Sequence, residues 1–208
     1  MRQGFFITVE GIDGSGKTTQ AKLLKKYLES EGFEVVLTKE PGGTPLGSHI
    51  RKILLTQDMN PLSEFLLFAS DRAEHVKNLI LPSLKQGKVV ISDRFSDSSL
   101  AYQGYGRGVS IEFINFVHSK VLSGISPDLT VLVDIPPKVG LKRLHNLDRI
   151  ENGGFDFLKR VRNGYLNMAK QNKRFVVLDG TKDKEYIHMR ILDAVKELIR
   201  DWRDRYEK

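Results

Sequence analysis

The sequence predicts an α/β fold built on a parallel sheet that is flanked by helices. Five short apolar runs alternate along the 208 residues with longer segments whose apolar residues recur at helical spacing. The short runs are continuously apolar, which is expected of strands that helices cover on both faces. Alternating strands and helices of this kind give a parallel sheet. We therefore predict a single domain over residues 1–208 around a five-stranded parallel sheet.

The five predicted strands share an apolar composition that is rich in valine, isoleucine and phenylalanine. They span residues 5–9, 33–38, 88–92, 129–135 and 175–179. Ligands of such sheets bind beyond the carboxyl ends of the strands. The segments that follow these ends are the candidate site, and they are residues 10–18, 40–44, 93–94 and 179–180.

The predicted helices carry apolar residues three and four positions apart and end at recognisable breakers. Gly32 ends the first helix, Pro82 is expected to break a long one, and Pro136 with Pro137 starts the helix after the fourth strand. The predicted spans are 19–30, 46–56, 61–86, 110–122, a helix from 136, 155–172 and 183–206. A polar, glycine-rich segment at 95–108 is expected to contain a short helix.

The loop after the first strand reads Gly11-Ile12-Asp13-Gly14-Ser15-Gly16-Lys17-Thr18 and fits the phosphate-loop pattern G-x-x-x-x-G-K-[ST]. Its glycines let the backbone approach a ligand closely, and its N–H groups attract an anion together with the helix N-terminus. Lys17 adds a charge for the β- and γ-phosphates, and the Thr18 hydroxyl can bind Mg²⁺. The alternative is a plain glycine turn, which the flanking strand and helix disfavour. We predict an ATP-binding, P-loop NTPase-type three-layer fold.

Composition limits the remaining possibilities. The chain contains no cysteine, which excludes disulfides and thiolate metal sites. Its start does not read as a signal peptide, and no apolar run approaches the length of a membrane span, so we expect a cytoplasmic protein without a membrane partner. A net charge of +7 could indicate nucleic-acid binding. The basic residues are scattered among acids, however, and we prefer a pocket for polyanionic small molecules and no nucleic-acid partner.

Two other classes of phosphate-loop protein fit poorly. A GTPase needs N-K-x-D, and the segment 172–175 has Phe175 where aspartate is required. A motor ATPase has a metal-binding aspartate after an apolar strand, which Asp134 could imitate, but such proteins are usually longer. Asp93 and Arg94 instead offer a carboxylate that can act through Mg²⁺ and an arginine for a second phosphate. Donor and acceptor phosphate sites together indicate a kinase for a phosphorylated small molecule.

Several segments, taken in order, resemble bacterial thymidylate kinases. They are residues 11–20, 40–44, 93–95 with 98–104, 127–130 and 147–151, and the resemblance runs from about residue 5 to 180. The combination is far more specific than the phosphate loop alone. It implies the reaction of ATP with dTMP to give ADP and dTDP, dependence on Mg²⁺, a homodimer and a short lid at about 142–154.

The resemblance implies roles around the acceptor nucleotide. Phe68 and Arg72 share a helix face and would stack on thymine and donate to its O4, which excludes cytosine. Without the resemblance, Phe68 would be assigned to the core and Arg72 to a surface ion pair. Asp13 would bind the sugar 3′-hydroxyl, and Tyr102 would crowd the 2′ position. The remaining dTMP-binding candidates are Arg51 and Arg94 on the acceptor phosphate, and Ser99 and Gln103 around thymine.

The resemblance also implies a catalytic set. Asp93 would lie near Mg²⁺, with Thr18 as the other metal-binding residue, and Glu40 would help to orient this region. Some family members supply an arginine from the loop position that Gly14 occupies here, which glycine cannot do. An arginine of the lid must then serve, and we expect Arg149, then Arg143, with His145 a weaker candidate. The predicted catalytic residues are Lys17, Asp93, Arg94, Arg149 and Arg143.

Two alternatives to a thymidylate kinase stay open on the sequence. One is an enzyme of the same fold that phosphorylates another nucleoside monophosphate or a deoxynucleoside. The other is a non-catalytic module that binds nucleotides or nucleic acid, which the net positive charge suggests.

Overall fold

A five-stranded parallel sheet forms the centre of the structure, a computed structural model that describes residues 4–144, 149–150 and 153–206. The strands lie side by side in the order β2-β3-β1-β4-β5, and every neighbouring pair is parallel. Their bounds are Phe6–Glu10 (β1), Val35–Lys39 (β2), Val89–Asp93 (β3), Leu129–Asp134 (β4) and Phe175–Asp179 (β5). The predicted sheet is confirmed, and no strand end differs from its predicted position by more than two residues.

The strand order positions the candidate site. β1 lies between β3 and β4, and its register pairs Val9 with Asp93 of β3. The carboxyl ends of β1 and β3 therefore emerge next to each other. This register brings the loop at 11–16 beside Arg94, although the two are far apart in the sequence.

The helices cover both faces of the sheet and lie close to their predicted positions. Their bounds are Lys17–Ser30 (α1), Pro45–Thr56 (α2), Pro61–His75 (α3), Leu81–Lys85 (α4), Ser96–Ser99 (α5), Ile111–Val121 (α6), Pro137–Arg143 (α7), Gly154–Gln171 (α8) and Lys184–Tyr206 (α9). Within the part of the chain that the structure describes, no helix combines the length and the hydropathy that crossing a membrane requires.

The long helix predicted at 61–86 is helical from residue 61 to 85. It is not broken at Pro82 as expected, but it changes from α-helical to π-helical geometry just before that residue. A π-helical segment, Val76–Ile80, joins α3 to α4, and the Leu81 N–H donates to the carbonyl of Val76. Pro82 has no N–H to offer the carbonyl of Asn78, which favours a widened turn at this place. A second π-helical segment, Leu100–Gly106, continues α5, so the segment at 95–108 is more helical than predicted.

Core packing explains why the strands read as continuous apolar runs. Ile7 and Val9 of β1 pack with α1 and α9, whereas Phe6 lies on the opposite face with Val76 and Ile80. Burial on both faces removes the polar alternation that a half-exposed strand would show. The three-layer arrangement predicted from the sequence is confirmed.

Candidate active site

The loop between β1 and α1, residues 11–16, turns tightly and passes close to α7. Gly16, which caps α1, has a φ of 92°, and Gly14 has a φ of 78°, values that favour glycine. A Cβ atom on Gly14 would lie 2.6 Å from the carbonyl oxygen of Gly140 in α7. The two backbones therefore approach as closely as they do only because both residues lack a side chain.

Lys17 and Asp13 form an ion pair inside this loop. Nζ of Lys17 lies 3.1 Å from Oδ1 of Asp13, and the lysine is buried. Ser15 is also buried, and its hydroxyl has no hydrogen-bond partner among the described residues. These polar groups are available to a phosphate chain, which agrees with the motif.

Thr18 and Asp93 fit a magnesium ion by chemistry and position. The Thr18 hydroxyl donates to Oδ2 of Asp93, and Oδ1 of Asp93 is buried without a hydrogen-bond partner among the described residues. Hydroxyl and carboxylate oxygens suit Mg²⁺, which takes its other ligands from water and phosphate. The described ranges contain no cluster of three or more histidine or acidic side chains that could hold a metal by itself. That is expected where the substrate supplies part of the coordination.

Arg94 reaches from the end of β3 toward the phosphate loop. It has a φ of 72°, which is uncommon for a residue other than glycine. Its Nη2 donates to Oδ1 of Asp13 at 2.5 Å and to the Tyr102 hydroxyl at 3.0 Å, and its Nη1 donates to the carbonyl of Gly11 at 3.0 Å. The residue that follows β3 is thus bonded to both the backbone and the carboxylate of the loop after β1.

Asp13 is the carboxylate that these cations share. Burial by itself would raise its pKa, but the charges of Arg94 and Lys17, and a hydrogen bond of 2.7 Å from the Tyr102 hydroxyl, outweigh that effect. The pKa of Asp13 is held well below its usual range. The carboxylate is therefore ionised near neutral pH.

A cavity of about 630 Å³, part of it open to solvent, lies on the other side of Arg94. All eight residues predicted to bind the acceptor line it: Asp13, Arg51, Phe68, Arg72, Arg94, Ser99, Tyr102 and Gln103. Glu40, Leu55 and Ile150 are among the other lining residues.

Arg72 is one of the most buried side chains of the protein, with 1% of its surface exposed. It donates from Nε to Glu40 at 2.8 Å, from Nη1 to the Ser99 hydroxyl at 2.9 Å and to Nε2 of His118 at 3.0 Å, and from Nη2 to the carbonyl of Phe95 at 3.1 Å. The alternative of a surface ion pair is wrong. These bonds use four of its five N–H groups, which leaves one toward the cavity.

His118 completes the support of Arg72. Burial, and to a smaller extent the charge of Arg72, lowers the pKa of His118 to about 3. The imidazole is therefore neutral near pH 7, and its Nε2 accepts the hydrogen bond from the arginine. His118 was not among the residues predicted from the sequence.

The two lid arginines occupy different places. Nη1 of Arg143 donates to the carbonyl of Gly14 at 3.1 Å and to that of Gly180 at 3.2 Å. Arg149 donates to the carbonyl of Leu54 at 2.9 Å and to Glu64 at 2.7 Å. Arg143, which was expected to rank second, is thus the lid arginine that contacts the phosphate loop. His145 lies outside the described residues.

Comparison with known proteins shows which group of phosphate-loop proteins this chain resembles. A family model described as thymidylate kinase matches residues 9–191. A thymidylate kinase from Halothermothrix orenii is 48% identical over 202 residues, which cover 93% of this chain and 97% of that protein. One from Thermoanaerobacter sp. strain X514 is 45% identical over 202 residues, or 95% of this chain and 100% of the relative.

The chain belongs to the thymidylate kinase family. A crystal structure of thymidylate kinase from Ehrlichia chaffeensis matches it with a TM-score of 0.79 at 40% identity, over 93% of this chain and 98% of that chain. The resemblance stated from the sequence motifs is confirmed.

The thymidylate kinase assignment also explains Asp134, the residue that could imitate a metal-binding aspartate. Both of its carboxylate oxygens accept from Arg162, each at 2.7 Å. This bidentate pair ties β4 to α8. In this member of the thymidylate kinase family Asp134 is therefore held by an arginine, whereas one oxygen of Asp93 has no hydrogen-bond partner among the described residues.

Three carboxylates that support the site have roles that the sequence did not reveal. Glu40, expected to help orient the region of Asp93, has its carboxylate bonded to Arg72 and His75. Glu64 joins Arg149 to Gln103, with an oxygen 2.9 Å from Nε2 of Gln103. Glu10, at the end of β1, is completely buried. The sequence did contain a signal for Glu10, because it is an acidic residue at the end of an otherwise apolar strand. It contained none for Glu40 and Glu64, whose partners are brought to them only by the fold.

Proposed function

We propose that the chain transfers the γ-phosphoryl group of ATP to dTMP, giving ADP and dTDP. The observation that carries this proposal is the position of Arg94, which lies between the phosphate loop and the cavity and is bonded to Asp13. A donor site and an acceptor site thus meet at one arginine. Membership of the thymidylate kinase family supports the assignment of the two substrates.

On the donor side, residues 11–18 would hold the phosphates of ATP. The N-terminus of α1 and the loop N–H groups favour negative charge, and the Lys17 ammonium lies at the edge of the loop. When ATP enters, the phosphates compete with Asp13 for Lys17. Asp13 keeps its bonds to Arg94 and Tyr102 and so remains in place.

On the acceptor side, the cavity would hold dTMP with its phosphate toward Arg94 and Arg51 and its base toward Arg72. Arg51 donates to the carbonyl of Pro41 at 3.1 Å, which directs its guanidinium along the cavity wall. Phe68 is half-buried and lines the cavity, so its ring is available to thymine. Neighbouring Leu66 is exposed, so residues 66–68 are not all core.

Thr18 and Asp93 are the residues we propose for binding Mg²⁺. The ion, when bound, would neutralise the developing charge on the β- and γ-phosphate oxygens. The protein's own part in the transfer is to bring two phosphates together and to surround them with donors. Lys17, Arg94 and Arg143 supply that positive charge from three separate elements.

A coupled ADP-release assay tests the proposal. With ATP and Mg²⁺, we expect turnover with dTMP and much slower turnover with dCMP, because an arginine facing position 4 of the base favours a carbonyl acceptor. Equal rates with dTMP and dCMP would remove the role of Arg72 and favour a kinase of wider acceptor range. Steeply salt-dependent retention of DNA without kinase turnover would favour the nucleic-acid-binding alternative.

A homodimer is the assembly that we propose. Leu62 and Leu66 on α3, and Phe113 and Phe116 on α6, are exposed, and the Phe113 ring packs 6.0 Å from that of Phe65 on α3. Apolar side chains exposed on two adjacent helices suit a second copy of the chain.

Sedimentation of Phe116→Asp tests the dimer, with Met189→Asp, an exposed apolar position on α9, as the matched control. We expect only the first variant to sediment as a monomer; two unchanged dimers would contradict this interface. The cytoplasmic location stays a prediction.

A further inference from the structure

Glu10 is completely buried and lies outside the cavity, yet it is bonded to the surroundings of Arg94. Its Oε1 accepts from the Phe95 N–H at 2.7 Å. Its Oε2 accepts from the Ser98 hydroxyl at 2.7 Å and from the Tyr165 hydroxyl at 2.8 Å. A single carboxylate thus joins β1, the turn after β3 and α8.

The first of these bonds restrains the backbone of Arg94. A left-handed φ of 72° is unfavourable for a non-glycine residue, so it persists only where the neighbouring peptide groups are held. The Arg94 N–H donates to the carbonyl of Val9 at 3.0 Å, and the Ser92 hydroxyl donates to the Arg94 carbonyl at 2.7 Å. The next N–H, that of Phe95, is the one that Glu10 holds. Glu10 is the only one of these three restraints that a carboxyl group makes.

The other two bonds restrain the guanidinium. A hydroxyl has one hydrogen, so when Ser98 and Tyr165 donate to Glu10 their oxygens are left as acceptors. Nη1 of Arg94 lies 3.2 Å from the Ser98 oxygen and 3.3 Å from the Tyr165 oxygen. The two hydroxyl oxygens also lie 2.8 Å apart, and Glu10 favours the orientation in which both present lone pairs to Arg94 and not a hydrogen to each other.

The environment shows that this ionised carboxylate is costly to maintain. Burial, followed by the charge of Asp97, raises the pKa of Glu10 to about 7, while Arg94 and the hydrogen bonds from Ser98 and Tyr165 oppose the rise. A buried acid of this kind is expensive if its only task is packing.

We propose that Glu10 is a positioning residue for phosphoryl transfer, which holds the backbone and the guanidinium of Arg94 in the orientation that receives the acceptor phosphate. This inference rests on the proposed function, because the ligand that Arg94 receives is the phosphate of dTMP. Glu10 itself touches neither substrate. Its effect is therefore confined to what Arg94 contacts.

Calorimetric binding of dTMP and of thymidine, which lacks the phosphate, tests this role. In Glu10→Gln, an amide NH₂ group, which donates hydrogen bonds, replaces one carboxylate oxygen. A hydroxyl that donated to that oxygen must then accept from the amide, and its lone pair is no longer available to Arg94. We expect dTMP affinity to fall about tenfold, the worth of one charge-assisted hydrogen bond, with thymidine affinity unchanged. Arg94→Lys should show the same selective loss, and the double variant should lose little more than either single one.

Two further variants keep the test valid if Glu10→Gln folds poorly. Tyr165→Phe and Ser98→Ala each remove one hydroxyl between Glu10 and Arg94, and each should weaken dTMP without weakening thymidine. Equal losses for dTMP and thymidine, or wild-type dTMP affinity in folded variants, would overturn the inference. A wild-type protein that turns over no dTMP would instead overturn the proposed function, and this inference with it.

Discussion

The Nη2 atom of Arg94 lies 2.5 Å from Oδ1 of Asp13, the same oxygen that the Lys17 ammonium approaches at 3.1 Å. One carboxylate oxygen therefore contacts both the lysine proposed for the donor site and the arginine proposed for the acceptor site. Without substrates, this carboxylate offsets their mutual repulsion. With substrates bound, two phosphates would be drawn to the same place, which is the arrangement that an in-line transfer requires.

Removing either cation should stop the reaction while leaving the fold intact. We expect Lys17→Ala and Arg94→Ala each to lower kcat at least ~100-fold, because each removes charge next to the transferred group. Lys26→Ala, on the exposed face of the same helix as Lys17, is the matched control and should retain wild-type turnover. The ADP-release assay measures all three, and circular dichroism checks that they are folded. Activity in either test variant would contradict the assignment.

The two lid arginines should differ in their effect on turnover. Arg143 contacts the Gly14 carbonyl of the phosphate loop, whereas Arg149 is bonded to Glu64 on the acceptor side. We expect Arg143→Ala to lower kcat about 100-fold, and Arg149→Ala to have a smaller effect on kcat. Steady-state kinetics at saturating ATP and dTMP separate the two. If Arg149→Ala has the larger effect on kcat, the original ranking of the lid arginines is right.

Arg72 should be as important for stability as for recognition. It is paired with Glu40, and both side chains are 1% exposed. Removing one partner of such a pair leaves a buried charge, so Arg72→Met should lower the free energy of unfolding by about 3–5 kcal/mol.

Urea denaturation of three variants checks this expectation about Arg72. Glu40→Gln in the same chain should restore part of the loss. Arg190→Ala, which breaks an exposed ion pair with Asp193, should change the free energy of unfolding by less than ~1 kcal/mol. A loss in Arg72→Met no larger than in Arg190→Ala would show that the buried pair contributes little.

His118 should make the stability depend on pH in the acid range. Its pKa is about 3 in the folded protein, against 6.5 unfolded, so below pH 6.5 the unfolded chain binds a proton that the folded chain does not. The free energy of unfolding should therefore fall as the pH decreases, by about 2 kcal/mol between pH 6.5 and 5 from this residue.

His118→Gln keeps an acceptor for Arg72 and cannot titrate, so its stability should change less with pH than that of the wild type. His49→Gln, at an exposed histidine, is the control and should follow the wild-type curve. Denaturation midpoints collected from pH 5 to 7 give the comparison. Parallel curves for all three proteins would show that His118 is not the titrating group.

Much of this architecture was predictable because local patterns and tertiary packing agree. The strands are buried on both faces and are therefore apolar along most of their length. The phosphate loop is recognisable from Gly11, Gly16, Lys17 and Thr18. The eight acceptor residues were found through their match to a family pattern. The roles implied for them individually stay predictions.

The sequence did not predict which residues form hydrogen bonds to these cavity-lining side chains and hold them in place. Glu10, Glu40 and His118 act through partners that are distant in the chain, and no spacing rule connects them to Arg94 or Arg72. The lid arginines show the same difficulty. In the sequence Arg143 and Arg149 are only six residues apart. In the structure Arg143 belongs to α7 and contacts the carbonyl of Gly180, whereas Arg149 contacts α2 and α3.

The contact between Gly14 and Gly140 has a consequence for how enzymes of this kind can diverge. A side chain at position 14 would collide with the backbone of Gly140 in the middle of α7, so this position cannot simply gain an arginine. The helix would have to shift before such a replacement could be tolerated. An arginine at position 14 of this chain is therefore expected to fold well only together with changes in α7.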